Sequence, residues 1–273
     1  MATTSDIQSP QQFTPVRSPR SFPTARAIVA LILREMSTTY GRSPGGYLWA
    51  VLEPVAGIML LTAIFSIGFR APPIGTNFAL FYATGLVPFV AYLNVSAKVS
   101  QSINYSRQLL AYPSITYVDA LLARFLLNGL TSVLIGYVVF SGILLLFETR
   151  STLELDRVAQ AYAMAGALAL GIGSINSVLM AMFPIWQQIW SILNRPLFII
   201  SGVFFLFETV PQPYRDYLWY NPLIHVTGSM RSAFYGGYEA TYVSPLYVFG
   251  LSLVLFVLGL VFLRRYHRDI INF

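Results

Sequence analysis

Six long apolar stretches between residues 51 and 263 constrain this 273-residue chain more than any other feature of its sequence. A helix needs about 20 consecutive, mainly apolar residues to cross a bilayer core about 30 Å thick. With 56% hydrophobic and 10% charged residues, the composition excludes a globular soluble enzyme. We predict an all-α integral membrane protein with six transmembrane helices, at about 51–69, 78–97, 117–147, 158–182, 189–207 and 245–263.

Two segments precede the first span. Residues 1–24 are polar and contain four prolines, which predicts a disordered cytoplasmic tail. Residues 25–45 carry apolar side chains at helical spacing, which predicts an amphipathic helix in the membrane interface. The remaining residues, 46–273, would form the transmembrane domain. The apolar face of the amphipathic helix would hold Ile28, Val29, Ile32, Leu33, Met36 and Tyr40.

The distribution of arginine predicts the orientation of the chain. Seventeen basic and eleven acidic residues give a net charge of +6. The basic residues flank apolar segments and do not cluster with aromatic residues, so nucleic acid is not a predicted partner. Those before the first span, after the second and after the sixth would share one side. The positive-inside rule therefore predicts that both termini are cytoplasmic.

The sequence contains no motif for catalysis, metal binding or cofactor binding. It has no cysteine, which excludes thiolate chemistry and Cys-ligated zinc. Asp216, His225 and Ser229 share one loop but match no nucleophile motif. A phosphate loop would need Gly-Lys-Ser or Gly-Lys-Thr, and the single lysine, Lys98, follows Ala97. If ATP drives transport here, a separate subunit must hydrolyse it.

Two segments near span ends contain features that a generic six-span protein does not require. Residues 42–54 combine a glycine turn with Trp49 and with Glu53, an acid just inside a span. A charge at that depth is costly unless it is paired or hydrated. The motif Asn-Arg-Pro at 194–196 lies in the fifth span. Arg195 could extend from there to the interface.

A third unusual segment, residues 208–244, connects the fifth and sixth spans. It is rich in Tyr, Trp and Pro, and aromatic rings of this kind concentrate at the membrane surface. We predict short helices in the outer interface. We expect Arg231 to be solvated in this external loop.

Together the three segments resemble the membrane (permease) subunit of type-2 ABC exporters, particularly the capsular polysaccharide export inner-membrane protein family of Gram-negative bacteria. The resemblance covers about residues 25–273. It is carried by Gly46-Tyr47-Leu48-Trp49 with Glu53-Pro54, by Arg195-Pro196 with Ser201-Gly202, and by Asn221-Pro222-Leu223 with Arg231 and Gly237-Tyr238.

The resemblance implies a homodimer in the bacterial inner membrane that works with a dimer of ATP-binding subunits. Those subunits would hold ATP and Mg, so this chain would need no cofactor and would not itself be an enzyme. The cargo would be a lipid-linked capsular polysaccharide. A periplasmic co-polymerase and an outer-membrane export protein would be further partners.

The resemblance also implies where coupling and passage occur. A coupling helix at about 102–113 would dock on the ATPase, and re-entrant gate helices would lie between spans five and six. Aromatic rings along the path could stack on sugar C–H groups, and arginines could attract an acidic polymer. The coupling residues would be Ile103, Asn104, Arg107, Leu109, Leu110 and Tyr112, and the residues of the path or gate would be Trp49, Glu53, Tyr92, Arg195, Tyr220, Arg231 and Tyr235.

Several alternative functions stay open at this stage. A type-2 permease for O-antigen, teichoic acid or drugs would share the architecture and differ in a few wall residues. An ATP-independent carrier predicts paired charges near mid-membrane, and residues 55–67 and 246–263 contain none. A membrane-embedded enzyme predicts clustered Asp, His or Glu, whereas the acids here are scattered.

Overall fold

The computed structural model describes residues 23–39, 46–110, 115–149 and 151–272. Nearly all of the predicted tail at 1–24 lies outside these residues, as does Tyr112. All regular elements in the described ranges are helical, which confirms the predicted all-α class. They are α1 (Pro23–Thr39), α2 (Gly46–Gly68), α3 (Phe78–Ser100), α4 (Ser102–Leu110), α5 (Tyr117–Leu146), α6 (Leu155–Met182), α7 (Trp186–Ile200), a 3-10 turn (Phe207–Thr209), α8 (Tyr214–Trp219), α9 (Pro222–Phe234) and α10 (Pro245–Asn272).

Five helical segments in the described part of the chain are long and apolar enough to cross a membrane. They coincide with five of the six predicted spans, most within about three residues, whereas the second continues from its predicted end at 97 through α4 to Leu110. The segments are Leu48–Gly68, Phe78–Leu110, Tyr117–Leu146, Leu155–Met182 and Pro245–Tyr266.

The helix at the predicted fifth span ends earlier than the sequence suggested. We predicted 189–207, but α7 covers Trp186–Ile200. Its 15 residues rise about 22 Å, less than the bilayer core of about 30 Å. Gly202 has φ +74°, which takes the chain out of the right-handed helical region. The sequence concealed this end because the apolar run continues past Ile200.

Short polar motifs fix where the neighbouring helices begin. The Asn77 side chain caps α3 by accepting hydrogen bonds from the backbone N–H groups of Ala79 and Leu80, at 2.8 and 3.3 Å. Thr116 and Asp119 form a capping box at the start of α5. Such caps satisfy amide groups that a helix cannot satisfy internally.

Among the candidate spans in the described residues, the segment that contains α3 is the most buried, and α3 packs against α2, α5, α6 and α9. α6 lies against α10 through small residues that allow close backbone approach. A Cβ atom added to Gly171 would lie 2.6 Å from the Ser252 carbonyl oxygen, and one added to Gly173 would lie 2.7 Å from Val99. Small residues of α6 therefore form packing surfaces against both α10 and α3.

Helices α6 and α10 run in the same direction because both begin beside α9. The Ser229 hydroxyl of α9 donates to the carbonyl of Arg157 in the first turn of α6, at 3.3 Å. The Ser244 N–H, just before α10, donates to His225 of α9, at 3.1 Å. We call this end of the bundle the α9 end, and the opposite end, where α4 lies, the α4 end.

α7 runs from the α4 end towards the α9 end. At its start, the Trp186 indole N–H donates to Asn176 near the end of α6, at 2.9 Å. Farther along, Phe198 packs against Phe89 in the middle of α3, with ring centroids 5.3 Å apart. At its end, the Ile200 carbonyl contacts Asn221 at the start of α9.

Candidate functional site: the α7 break, its α9 brace and the α4-end cluster

Residues 201–206, which we call the α7 break, continue the chain beyond α7 without helical structure. Side chains of α9 hydrogen-bond to the carbonyls at the end of α7 and in this segment. The Asn221 amide donates to the Ile200 carbonyl at 2.9 Å, and the Thr227 hydroxyl donates to the Ser201 carbonyl at 3.0 Å. Non-helical backbone at membrane depth is tolerated only where protein or water satisfies it. α9 therefore acts as a brace for the α7 break.

Arg231 of α9 is the largest part of this brace. Its guanidinium donates to the carbonyls of Phe205 and Val203, at 2.7 and 3.1 Å, and lies 4.4 Å from the centre of the Phe81 ring. The residue is 1% exposed. Burial lowers the pKa of Arg231, but an arginine in a protein stays charged. The expectation of a solvated Arg231 was wrong, because its charge is needed inside the fold.

Two glycines allow the α7 break to approach its neighbours. A Cβ atom on Gly85 of α3 would lie 2.9 Å from the Val203 Cα atom. A Cβ atom on Gly202 would lie 3.0 Å from Ile224 and 3.2 Å from Thr227 Oγ1. Because the atom nearest to Gly85 belongs to backbone, a side chain there would displace the break itself.

His225 is held as a neutral structural residue. Its Nδ1 atom accepts from the Ser244 N–H at 3.1 Å, so Nε2 carries the proton and donates to the Trp219 carbonyl at 2.9 Å. Burial lowers the pKa of His225. Both ring nitrogens are thus engaged by backbone groups, which leaves neither for a triad with Asp216 and Ser229. Among the described residues, no group of three His, Asp or Glu side chains could hold a metal ion.

A second polar cluster, the α4-end cluster, joins α1 to α5. The Arg124 Nε atom of α5 lies 3.1 Å from Glu35 Oε2 of α1, and both side chains are about 5% exposed, at 6% and 4%. The Arg124 guanidinium also donates to the Lys98 carbonyl at the end of α3, at 3.0 Å. Asn128 contacts the other Glu35 oxygen at 3.5 Å. The pair is therefore buried and hydrogen-bonded, which is the geometry that offsets desolvation.

The same cluster holds α4. The Arg124 guanidinium carbon lies 4.0 Å from the centre of the Tyr105 ring, and the Tyr105 hydroxyl hydrogen-bonds to Thr38 of α1. Asn104 contacts the Met180 carbonyl at 3.5 Å. Movement of α4 would therefore act on α1, α5 and α6 at once.

The predicted coupling residues differ in their exposure. Ile103 is 2% exposed and packs inside the protomer, so it cannot be a knob for a partner. Asn104 is exposed, and Arg107, Leu109 and Leu110 are half-buried. Glu35, Arg124 and Tyr105 were not among the predicted site residues. An acid on one amphipathic helix and an arginine inside a predicted span were signals that could have indicated the pair.

The predicted path residues also fall into two groups. Trp49 and Tyr220 are 65% and 66% exposed, and Glu53 and Arg195 are exposed as well. In contrast, Tyr92 is 1% exposed and Tyr235 is 9% exposed. Together with Arg231 they lie inside the protomer, where they have no free surface for a polymer. We therefore remove these three from the candidate path.

α7 presents a polar face that the protomer leaves uncovered, and we call it the α7 polar stripe. None of the residues of α7 is buried. At 100° per residue, the polar side chains fall within one third of the helix circumference. Arg195 was a predicted path residue, whereas the stripe that contains it was not predicted. The stripe consists of Gln187, Gln188, Ser191, Asn194 and Arg195.

Apolar crossing helices, a braced helix break and an uncovered polar face define an α-helical membrane protein with features suited to transport. Comparison with known families agrees. Residues 26–235 match the ABC-2 type transporter family, and the chain belongs to that family.

Curated relatives align with most of this chain. The polysialic acid transport protein KpsM of Escherichia coli is 33% identical over 237 residues, which cover 87% of this chain and 92% of that protein. The capsule polysaccharide export inner-membrane protein CtrC of Neisseria meningitidis serogroup A is 26% identical, covering 90% and 92%. The corresponding protein BexB of Haemophilus influenzae is 27% identical with the same coverage.

Proposed function

We propose that this chain is the membrane subunit of an ATP-driven exporter that moves lipid-linked capsular polysaccharide from the cytoplasm across the bacterial inner membrane. Support comes from relatives named for polysialic acid transport and capsule polysaccharide export, which align with 87% to 90% of the chain. The structural observation that carries the proposal is the uncovered α7 polar stripe.

Lipid cannot cover this stripe at low cost. Amide, hydroxyl and guanidinium groups need hydrogen-bond partners at membrane depth. Two copies of the chain that face each other through α7 would enclose the stripes in a hydrated passage. Gln188, Ser191 and Arg195 would then offer a glycan many interchangeable hydrogen bonds, so that the polymer could slide. Trp49 and Tyr220 would add aromatic surfaces at the two ends of the path.

The directions of the helices support six crossings. Because α6 and α10 run the same way, residues 183–244 between them must return across the bundle. α7 starts beside Asn176 at the α4 end, and the α7 break reaches Phe81 and Arg231 at the α9 end. α7 and the α7 break together would make the sixth crossing. α8 and α9 would be the outer gate helices, and both termini would lie at the α4 end, in the cytoplasm.

ATP would be hydrolysed by a separate subunit that docks at the α4 end. α4 supplies an exposed surface there, and the α4-end cluster connects it to α1. The side chains of Val29 and Leu33 on α1 are 54% and 61% exposed and point away from α5. These apolar groups would rest in the lipid interface, so a movement of α4 would shift α1 within the membrane surface.

Deletion of the gene tests the cargo. We expect the mutant to synthesise the glycan normally and to retain it inside the cell, because synthesis needs no passage. Fractionation followed by glycan analysis measures the outcome, with the wild-type gene restored as control. Normal surface glycan in the deletion strain would contradict the proposal. Retention of O-antigen or teichoic acid instead would reassign the cargo within the same transporter class.

Cysteine accessibility tests the passage, and the natural chain has no cysteine to interfere. We expect Ser191→Cys, on the α7 polar stripe, to react with a membrane-impermeant thiol reagent. Leu193→Cys is the matched control, because Leu193 is 50% exposed on the apolar side of α7. Equal labelling of the two variants would contradict a hydrated stripe.

A further inference from the structure

A cavity of about 530 Å³ opens at the α9 end of the protomer, and its volume lies in the range of small-molecule sites. It lies between the 3-10 turn, α8 and residues 241–242. Its lining combines aromatic rings with charged groups and differs in this respect from the apolar grooves between the spans. The residues that matter here are Glu208, Arg215, Asp216, Trp219, Tyr220 and Tyr242.

We call this cavity the outer pocket. Its back wall is fixed by internal contacts. The Trp219 indole N–H donates to the Tyr242 carbonyl at 3.1 Å, and the Tyr242 ring stacks on Phe207 with centroids 4.1 Å apart. The Tyr238 hydroxyl donates to both Glu208 oxygens at 3.0 Å. The pocket is therefore largely preformed.

At the rim of the outer pocket, Asp216 accepts a hydrogen bond from the Gln212 amide at 3.1 Å, while Tyr220 and Arg215 can bind a ligand. The Tyr220 side chain is 66% exposed. Arg215 has no carboxylate within 4 Å among the described residues. An exposed aromatic ring beside carboxylates and a guanidinium matches the chemistry of a sugar, whose C–H face stacks on a ring while its hydroxyls bond to charged groups.

The charges select among sugars. The side chains that line the outer pocket include two carboxylates and one guanidinium, a net charge of −1 for the lining, and a like charge that enters such a site is disfavoured. Carboxylates accept hydrogen bonds from hydroxyl groups but repel acidic sugars. The best ligand is thus an uncharged, hydroxyl-rich unit.

We propose that the outer pocket binds uncharged sugar units of the emerging glycan. The proposal rests on the proposed export function, because that function places α8 at the exit, directly after the crossing made by α7. A bound unit would keep the polymer from slipping back between strokes of the ATPase.

The test uses the purified full-length protein in lipid nanodiscs with two probes, maltohexaose as a neutral oligosaccharide and oligosialic acid as an anionic one. Saturation-transfer NMR reports binding of each probe. We expect maltohexaose to bind the natural protein and Tyr220→Ala to weaken that binding about tenfold, the effect of about 1.4 kcal/mol of lost ring contact. Tyr217→Ala is the matched control, because Tyr217 is 74% exposed on α8, three residues before Tyr220, but does not line the pocket.

A variant with altered charges tests the outer pocket independently of the Tyr220 ring. Glu208→Gln combined with Asp216→Asn leaves Arg215 as the single charge, so we expect a gain in oligosialic acid binding. Failure of maltohexaose to bind, an equal loss in the two tyrosine variants, or oligosialic acid preferred by the natural protein would each overturn the proposal. Normal surface glycan in the deletion strain would instead overturn the export function, so the two failures are distinguishable.

Discussion

The two buried arginines are stabilised in different ways. Arg124 is paired with the carboxylate of Glu35, whereas the contacts of Arg231 are to two backbone carbonyls and the face of Phe81. The first arrangement holds helices together through opposite charges. In the second arrangement, a cation donates hydrogen bonds to backbone carbonyls that have no partner in a helix or strand. The two should therefore respond differently to substitution.

The buried pair predicts a large stability loss when one partner is removed. Glu35→Gln leaves Arg124 charged and without its carboxylate, so we expect the free energy of unfolding to fall by about 3–5 kcal/mol. Glu154→Gln is the control, because the Glu154–Arg157 pair at 2.6 Å is more than one third exposed and should contribute at most about 1 kcal/mol. Denaturant titration in detergent measures both. Equal losses would contradict the assigned role of the buried pair.

His225 predicts a dependence of stability on pH. Its pKa in the fold lies below the ordinary value of 6.5 because the ring is buried. Below about 6.5 the unfolded chain takes up a proton that the folded protein resists, so stability should decrease as the pH falls from there towards the lowered pKa. Thermal unfolding across this pH range measures the effect. His225→Gln should flatten the profile, and an unchanged profile in that variant would contradict the assignment.

At the scale of elements, the α7 break depends on close contact with α3. Gly85→Ala would place its methyl group 2.9 Å from the Val203 Cα atom, and overpacking of this kind typically costs about 1–3 kcal/mol. The matched variant is Gly142→Ala in α5, where no atom lies within 4 Å. That variant should gain up to about 1 kcal/mol of helix propensity. Unfolding titrations should show a loss of stability for Gly85→Ala and a gain for Gly142→Ala. Equal stabilities of the two variants would contradict the packing account.

Long elements were predictable from the sequence, whereas the break was not. Apolar length sets a span, so α3, α5, α6 and α10 begin within a few residues of their predicted starts. The end of α7 depends on Gly202, and on hydrogen bonds from Arg231 and Thr227 in a different helix. Contacts between distant segments leave little trace in the local pattern. Arg231 was predicted to be solvated for that reason.

The site residues divide in the same way, into those whose position follows from local sequence and those that depend on contacts with distant segments. The exposure of Trp49 and Tyr220 agrees with their position near the ends of spans, whereas Arg195 is exposed on the α7 polar stripe, inside its helix. Tyr92 could not be separated from them by sequence, because an aromatic residue in a span can face the core or a passage equally well. The pairing of Glu35 with Arg124 joins residues 89 positions apart, a distance at which composition and helical periodicity carry no information.

At the scale of the whole molecule, the proposed function assigns to the chain a passage and a surface for an energy-supplying partner. α7 would line the passage, the brace formed by α9 would hold its outer end, and α4 would receive the movement of the ATPase. The surfaces proposed for these roles lie uncovered on the single protomer. A second copy and an ATPase would cover them in the complete exporter.

Reconstitution in proteoliposomes tests this account most directly. Lipid-linked capsular glycan is supplied on the side of the ATPase, and its appearance on the opposite side is followed with and without ATP and with and without the ATPase subunit. We predict transfer only when both subunits and ATP are present. Transfer at the full rate by this chain alone, without nucleotide, would contradict the account.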